Sequence, residues 1–142
     1  MAITQAICNS FKGELLTATH NFASGTGDTF KISLYTSSAT LDATTTAYTA
    51  TNEVSGTGYT AGGVSLVNVG VTVSSGVAFL SFNNATWTSA SFTTRGALIY
   101  NSSKSNKAVL VLDFGSDKTI SAGDLTIQFP TNDSSNAILR LS

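Results

Sequence analysis

The chain has 142 residues and a formal net charge of −1, and charged residues make up only 11% of it. This length suits one domain with a sizeable core. The few basic residues are scattered, which argues against a nucleic-acid partner, because phosphate recognition requires clustered lysine and arginine. A single cysteine, Cys8, excludes an internal disulfide bond.

The N-terminal segment is the best helix candidate in the sequence. Over residues 4–22, Ile7, Phe11 and Leu15 fall near one helical face, and Thr4 is the predicted N-cap. The segment lacks the basic start and long apolar run of a signal peptide. No stretch of the chain approaches the ~18 apolar residues of a membrane helix, so no membrane partner is expected. The helix is expected to cover one edge of a β core, and docking on a neighbouring subunit is the alternative.

Alternating apolar residues predict β-strands in most of the remaining chain. Residues 29–36 predict a strand with one face inward and the other exposed or against a partner. Residues 64–74 alternate as well, and Ser75-Gly76 predicts a turn into a strand over 77–82. Four valines of the first of these two strands are expected on one side: Val67, Val69, Val71 and Val73. Further short strands are predicted at 119–120, at 125–129 after a turn at 122–124, and at 137–141.

Two apolar runs, 97–100 and 108–112, flank a polar loop and predict a hairpin. The second run is apolar at successive positions, which indicates a central strand covered on both faces. Strands at this spacing predict an all-β fold, a single-domain antiparallel β-sandwich (jelly-roll or Ig-like) or a partly closed barrel. One domain is expected over 1–142, with the N-terminal helix at 4–22 and the sandwich at 28–142.

The sequence offers little for catalysis. The lone histidine, His20, is expected to interact with the helix dipole or solvent, and too few soft ligands are present for zinc. Asp113, Asp117 and Asp124 are interpreted as solvated turn acids, with calcium as the weaker alternative. Trp87 is expected in the core, with sugar stacking as the alternative. No enzyme activity and no cofactor are therefore expected.

Residues 37–63 form a long segment rich in threonine, serine and glycine, with little periodicity. Loops of this length in a small domain are usually functional or mobile, and this one offers aromatic and hydroxyl groups. Its predicted use is contact with another chain. Because buried aromatic residues dominate protein interfaces, Tyr48 and Tyr59 here and Phe11 and Leu15 in the helix are the predicted interface residues.

Several segments together resemble small virion proteins of tailed bacteriophages, especially those of marine bacteria and cyanobacteria. They are SFKGELL, GDTFKISLYTSSATL, ATNEVSGTGYTAGG, TTRGALIYN and VLDFGSDKTISAGDLTIQFP. The resemblance extends from Phe11 to Leu141 and contains no catalytic signature.

The resemblance implies a structural virion protein, and capsid decoration or cementing is the role favoured here. The alternatives are a tail or head–tail junction subunit, and a tail-fibre module that binds a bacterial surface glycan. The implied partners are the major capsid protein or tail and portal-region proteins, together with further copies of the chain in a homo-oligomer. Assembly is expected in the host bacterial cytoplasm, with the mature protein in the virion.

Overall fold

The computed structural model describes residues 2–142, which form two antiparallel β-sheets and one short helix. Its elements, in chain order, are β1 (Ala6–Ile7), α1 (Asn9–Leu16), β2 (Phe30–Tyr35), β3 (Val64–Ser65), β4 (Asn68–Ser74), β5 (Val77–Phe82), β6 (Ala85–Asn101), β7 (Lys107–Ile127) and β8 (Leu139–Leu141). One sheet has the order β1-β7-β6-β2-β3, and the other has the order β4-β5-β8. The predicted all-β, sandwich-like architecture is confirmed, and the sheets do not close into a barrel.

The predicted hairpin is present as β6 and β7, and it organises the larger sheet. β6 is hydrogen-bonded to β2 on one side and to β7 on the other, so Leu98 lies between Ser33 and Val111. β7 is buried on both faces over residues 108–111, as predicted. The central strand is nevertheless β6, because beyond β7 the sheet continues only with the two-residue strand β1.

The predicted helix over 4–22 is too long at both ends. Ala6 and Ile7 pair with β7 instead, and the Thr4 N–H donates to the carbonyl of Leu41, so Thr4 is not the N-cap. Cys8 takes that position without a side-chain cap. Pairing with β7 gives the backbone of these residues hydrogen-bond partners in another strand, whereas a helix would have to provide them within itself. At the other end, Ala18 adopts a positive φ of 58°, which ends α1.

The prediction that one face of β2 is exposed or against a partner is wrong, because the chain itself covers it. Ser33 and Tyr35 are both fully buried, as are Ile32 and Leu34. The cover is segment 37–63: the Tyr35 hydroxyl donates to the Thr49 carbonyl over 2.7 Å, and the ring of Tyr48 stacks on that of Tyr100 with centroids 4.9 Å apart. The predicted contact loop is therefore packed against its own sheet over much of its length.

The predicted strand over 64–74 is divided in two, and its valines do not share one side. β3 and β4 are separate, and the β4–β5 register shifts between Asn68 and Val71. These two residues lie opposite Phe82 and Leu80, which face the same way, so the strict alternation is interrupted. The turn at Ser75-Gly76 is confirmed, and both residues have positive φ.

The strands predicted at 119–120 and 125–129 belong to one continuous strand, which ends at Ile127. β7 runs without a turn to Ile127, and the predicted turn at 122–124 is an irregularity in its pairing with β6, where Ala122 has a φ of 48°. Trp87 lies opposite Leu125 in β6 and is only 3% exposed, which confirms its core position. The last strand is shorter than predicted and pairs with β5.

A single cluster of buried apolar side chains, reaching from Ile3 to Leu139, joins the two sheets. At its centre the rings of Phe22 and Phe30 stack with centroids 4.2 Å apart, and Phe82 from the smaller sheet packs against both. No helix in the described residues has the length and apolar character needed to cross a membrane.

Candidate interaction surface

An apolar groove of about 300 Å³ lies between α1 and the three-stranded sheet. We call it the α1–β8 groove. It is lined by Ile7, Phe11, Lys12, Leu15, Phe22, Val71, Ala78, Phe79, Leu80, Leu139, Arg140 and Leu141. Its walls are almost entirely apolar, which makes it a surface suited to contact with another apolar surface.

The groove exists because the smaller sheet projects beyond the core. The strand register places Val71, Leu80 and Leu139 in one row across the sheet. Val73, Ala78 and Leu141 form the next row on the same face. In the first row, Leu80 and Leu139 are each 8% exposed, whereas Val71 is 53% exposed. In the second row, Val73 is 72% and Leu141 63% exposed, with the half-buried Ala78 between them. The sheet therefore carries large apolar side chains that residues 2–142 leave mostly uncovered.

Among the described residues, two cationic side chains are the only charged groups that line the groove. Lys12 extends from α1 and Arg140 from β8. A guanidinium N–H of Arg140 (Nη1) donates to the carbonyl oxygen of Ser135 over 2.5 Å. Lys12 is exposed and takes part in none of the ion pairs among the described residues. The groove is therefore apolar with a positive border.

The helix wall of the groove is held in place by a buried polar chain. The Asn101 amide donates to Nδ1 of His20 over 2.9 Å, which leaves Nε2–H to donate to Oε1 of Glu14, also over 2.9 Å. Asn101 is fully buried and also donates to Asp28, while Lys107 lies 3.5 Å from the second Glu14 oxygen. These contacts attach the C-terminal half of α1 to the end of the central hairpin.

The same chain corrects the interpretation of His20. His20 is 8% exposed as a residue, but its side chain is fully buried and its ring centroid lies 4.9 Å from that of Phe11, so the ring does not face solvent. The return of the chain after Ala18 places His20 there.

Asp28 belongs to the same polar chain. Burial acts to raise the pKa of Asp28, but the hydrogen bonds from Asn101 and Asn21 and the charge of Lys104 outweigh this effect and lower the pKa.

The structure separates the four predicted interface residues into two pairs. Phe11 and Leu15 both line the α1–β8 groove, where Phe11 is 1% exposed and Leu15 half-buried. Tyr48 and Tyr59 are half-buried elsewhere, on segment 37–63, and both bind Glu53. A role in contact with a partner stays a prediction for all four.

Glu53 is the centre of this second cluster. Its Oε1 accepts from the Tyr48 hydroxyl over 2.7 Å, and its Oε2 accepts from the Tyr59 hydroxyl over 2.5 Å and from the Gly62 N–H over 2.8 Å. Burial is the largest influence on both tyrosines and raises their pKa, and the hydrogen bond to Glu53 raises it further. The Tyr100 hydroxyl donates to the Gly62 carbonyl over 2.6 Å. This cluster fixes segment 37–63 on the sheet.

The groove residues of the smaller sheet were not predicted as site residues. Alternation predicted strands around Val71 and Leu141 but could not tell whether their apolar side would be covered. The available signal was the alternation of apolar residues in two segments, 64–74 and 137–141.

The described residues supply no cluster of three or more potential metal ligands. Asp113, Asp117 and Asp124 lie within β7 and not in a turn, and Asp117 and Asp124 are exposed. Asp113 accepts from Arg95 over 3.1 Å, and Asp124 accepts from the Ser89 N–H over 3.1 Å. Burial raises the pKa of Cys8 to about 11, with the charges of Asp42 and Glu14 adding to the effect. Trp87 has no exposed ring face for a sugar to stack on.

Comparison of the chain with protein-family models, with curated proteins and with solved structures gave no significant match.

Proposed function

We infer that the protein is a structural subunit of a tailed-bacteriophage virion, and that it decorates the capsid through protein–protein contacts. The observation that carries this proposal is the α1–β8 groove, an uncovered apolar surface bordered by cations. Apolar surface left open in this way is typical of proteins that work in assemblies. The phage source rests on the resemblance of the sequence segments between Phe11 and Leu141.

The surface composition supports the same proposal. Serine and threonine side chains cover the exposed face of the β6–β7 hairpin, where the hydroxyl oxygens of Thr86 and Thr126 lie 3.1 Å apart and those of Thr93 and Thr119 lie 2.9 Å apart. Such short side chains lose little conformational entropy when another protein covers them. A homo-oligomer and contact with the major capsid protein are part of the proposal.

Quantitative mass spectrometry of purified particles tests this function. A decoration subunit is expected in a copy number close to that of the major capsid protein, and particles without it should release DNA at lower temperature. A copy number matching a small ring would favour a tail or head–tail junction subunit, because ring symmetry limits the number of copies. Absence of the protein from purified particles would contradict the proposal.

A further inference from the structure

We propose that the α1–β8 groove receives an extended segment of another polypeptide, which adds to the free edge of β8 and carries apolar side chains at alternate positions and a carboxylate. Only the assignment of the partner as another virion protein rests on the proposed function. The site itself is inferred from the contacts of β8, α1 and Lys12.

The first observation is the open edge of β8. This strand pairs with β5 through Leu139, Arg140 and Leu141, and no strand among the described residues pairs with its other edge. All three of these residues line the groove, as do Ala78, Phe79 and Leu80 of β5. The groove therefore crosses the sheet and reaches its edge strand β8, where outward backbone N–H and C=O groups can accept a further strand.

The second observation is the row of apolar side chains beside that edge. Leu141 is 63% exposed and lies on the same face as Leu139, while Ile7 and Leu15 line the opposite wall. A strand added to β8 would direct every second side chain into the space between these walls. Alternating apolar residues are therefore the pattern that fits.

The third observation is the charge of the border. Within residues 2–142, Lys12 and Arg140 are the only charged groups lining the groove, and Lys12 has no carboxylate partner there. A partner carboxylate near Lys12 would gain a charge-assisted contact, whereas a partner lysine would be repelled. Charge thus selects an acidic segment.

The same charges disfavour a second copy as the occupant. A symmetric pairing of β8 with β8 of another copy over all three residues would place Arg140 opposite its own counterpart. Like charges directly opposite each other on neighbouring strands are destabilising. The oligomer of the proposed function is therefore expected to use another surface.

Selection from a displayed library of short random peptides on the immobilised full chain tests the proposal. The enriched peptides are expected to alternate apolar and polar residues and to contain aspartate or glutamate. Leu141→Asp should weaken binding of an enriched peptide by about tenfold or more, because it places a like charge and a polar group in the apolar row. Val67→Asp is the matched control, since Val67 is 58% exposed but lies outside the groove, and it should leave binding unchanged.

Two further variants separate strand addition from simple apolar adhesion. Lys12→Glu should reverse the charge preference, so that an enriched peptide binds about tenfold more weakly and its aspartate-to-lysine form binds better. Methylation of alternate backbone amides of the peptide should abolish binding, because it removes the hydrogen bonds to β8. Circular dichroism checks that each variant is folded.

Several results would overturn the proposal. They are failure to enrich any peptide above the Leu141→Asp background, equal binding of the methylated peptide, and enrichment of basic peptides. A concentration-dependent dimer in sedimentation that disappears in Leu141→Asp would assign the groove to a second copy instead. If the chain binds enriched peptides but is absent from purified particles, the proposed function alone is refuted. If the chain is present in particles but binds no peptide, this inference alone is refuted.

Discussion

The Tyr59 hydroxyl joins β2 to segment 37–63. It donates to Oε2 of Glu53 over 2.5 Å and accepts from the Leu34 N–H over 2.9 Å. One phenol thus satisfies a buried backbone group of the sheet and a carboxylate of the segment that covers it. Without it, the segment would leave polar groups of β2 without partners.

Tyr59→Phe is expected to lower the free energy of unfolding by about 2 kcal/mol, because it leaves the Leu34 N–H unpaired and removes a donor to Glu53. Tyr48→Phe is the matched control. Its hydroxyl makes only the bond to Glu53, so a loss of about 1 kcal/mol is expected. Urea denaturation measures both, and an equal or larger loss in Tyr48→Phe would contradict the assigned role of Tyr59.

Alkaline pH is expected to destabilise the protein between about pH 10 and pH 12. Burial raises the pKa of Tyr35 and of Tyr100 to about 12 in the folded chain, above the ordinary value near 10. The unfolded chain therefore loses these protons first, so stability is complete below pH 10 and declines as the pH rises to 12. Denaturation midpoints measured at several pH values check this, and tyrosinate absorbance near 295 nm should rise together with unfolding. Normal ionisation near pH 10 in the folded state would contradict the burial of these phenols.

Cys8 is expected to resist alkylation in the folded protein. It is fully buried, and burial raises its pKa to about 11, so both access and thiolate population are low at pH 8. Iodoacetamide labelling followed by mass spectrometry should be slow in buffer and complete in guanidinium. Equal rates in the two conditions would show that β1 and α1 open readily from the sheet.

Gly63→Ala is expected to lower the free energy of unfolding by roughly 3 kcal/mol or more. Gly63 has a φ of 78°, and a Cβ there would clash with the Ile32 carbonyl oxygen. Gly13→Ala in α1 is the control, because a Cβ there meets nothing within 4 Å. It should stabilise the protein by up to about 1 kcal/mol through helix propensity. Thermal melts distinguish the two, and a tolerated Gly63→Ala would contradict the close crossing of residue 63 over β2.

Local patterns predicted the elements that depend on neighbouring residues. The β6–β7 hairpin, the strand at 30–35 and the turn at Ser75-Gly76 follow from alternation and turn chemistry, and all three are present. The helix ends could not be predicted in this way, because β1 forms through pairing with Val111, about a hundred residues further along the chain. The continuity of β7 likewise depends on its pairing with β6 on both sides of Ala122, where the sequence alone indicates a turn.

By itself, the sequence determined an all-β chain of low charge, with an apolar hairpin, a buried tryptophan and apolar residues at the positions that now line the groove. Only the tertiary structure decided which of these apolar residues remain uncovered. Alternation specifies that one side of a strand is apolar, but whether that side is buried depends on how far each sheet extends past its neighbour. Leu80 and Leu141 belong to the same face of one sheet. Leu80 is buried and Leu141 is exposed because the core ends between them.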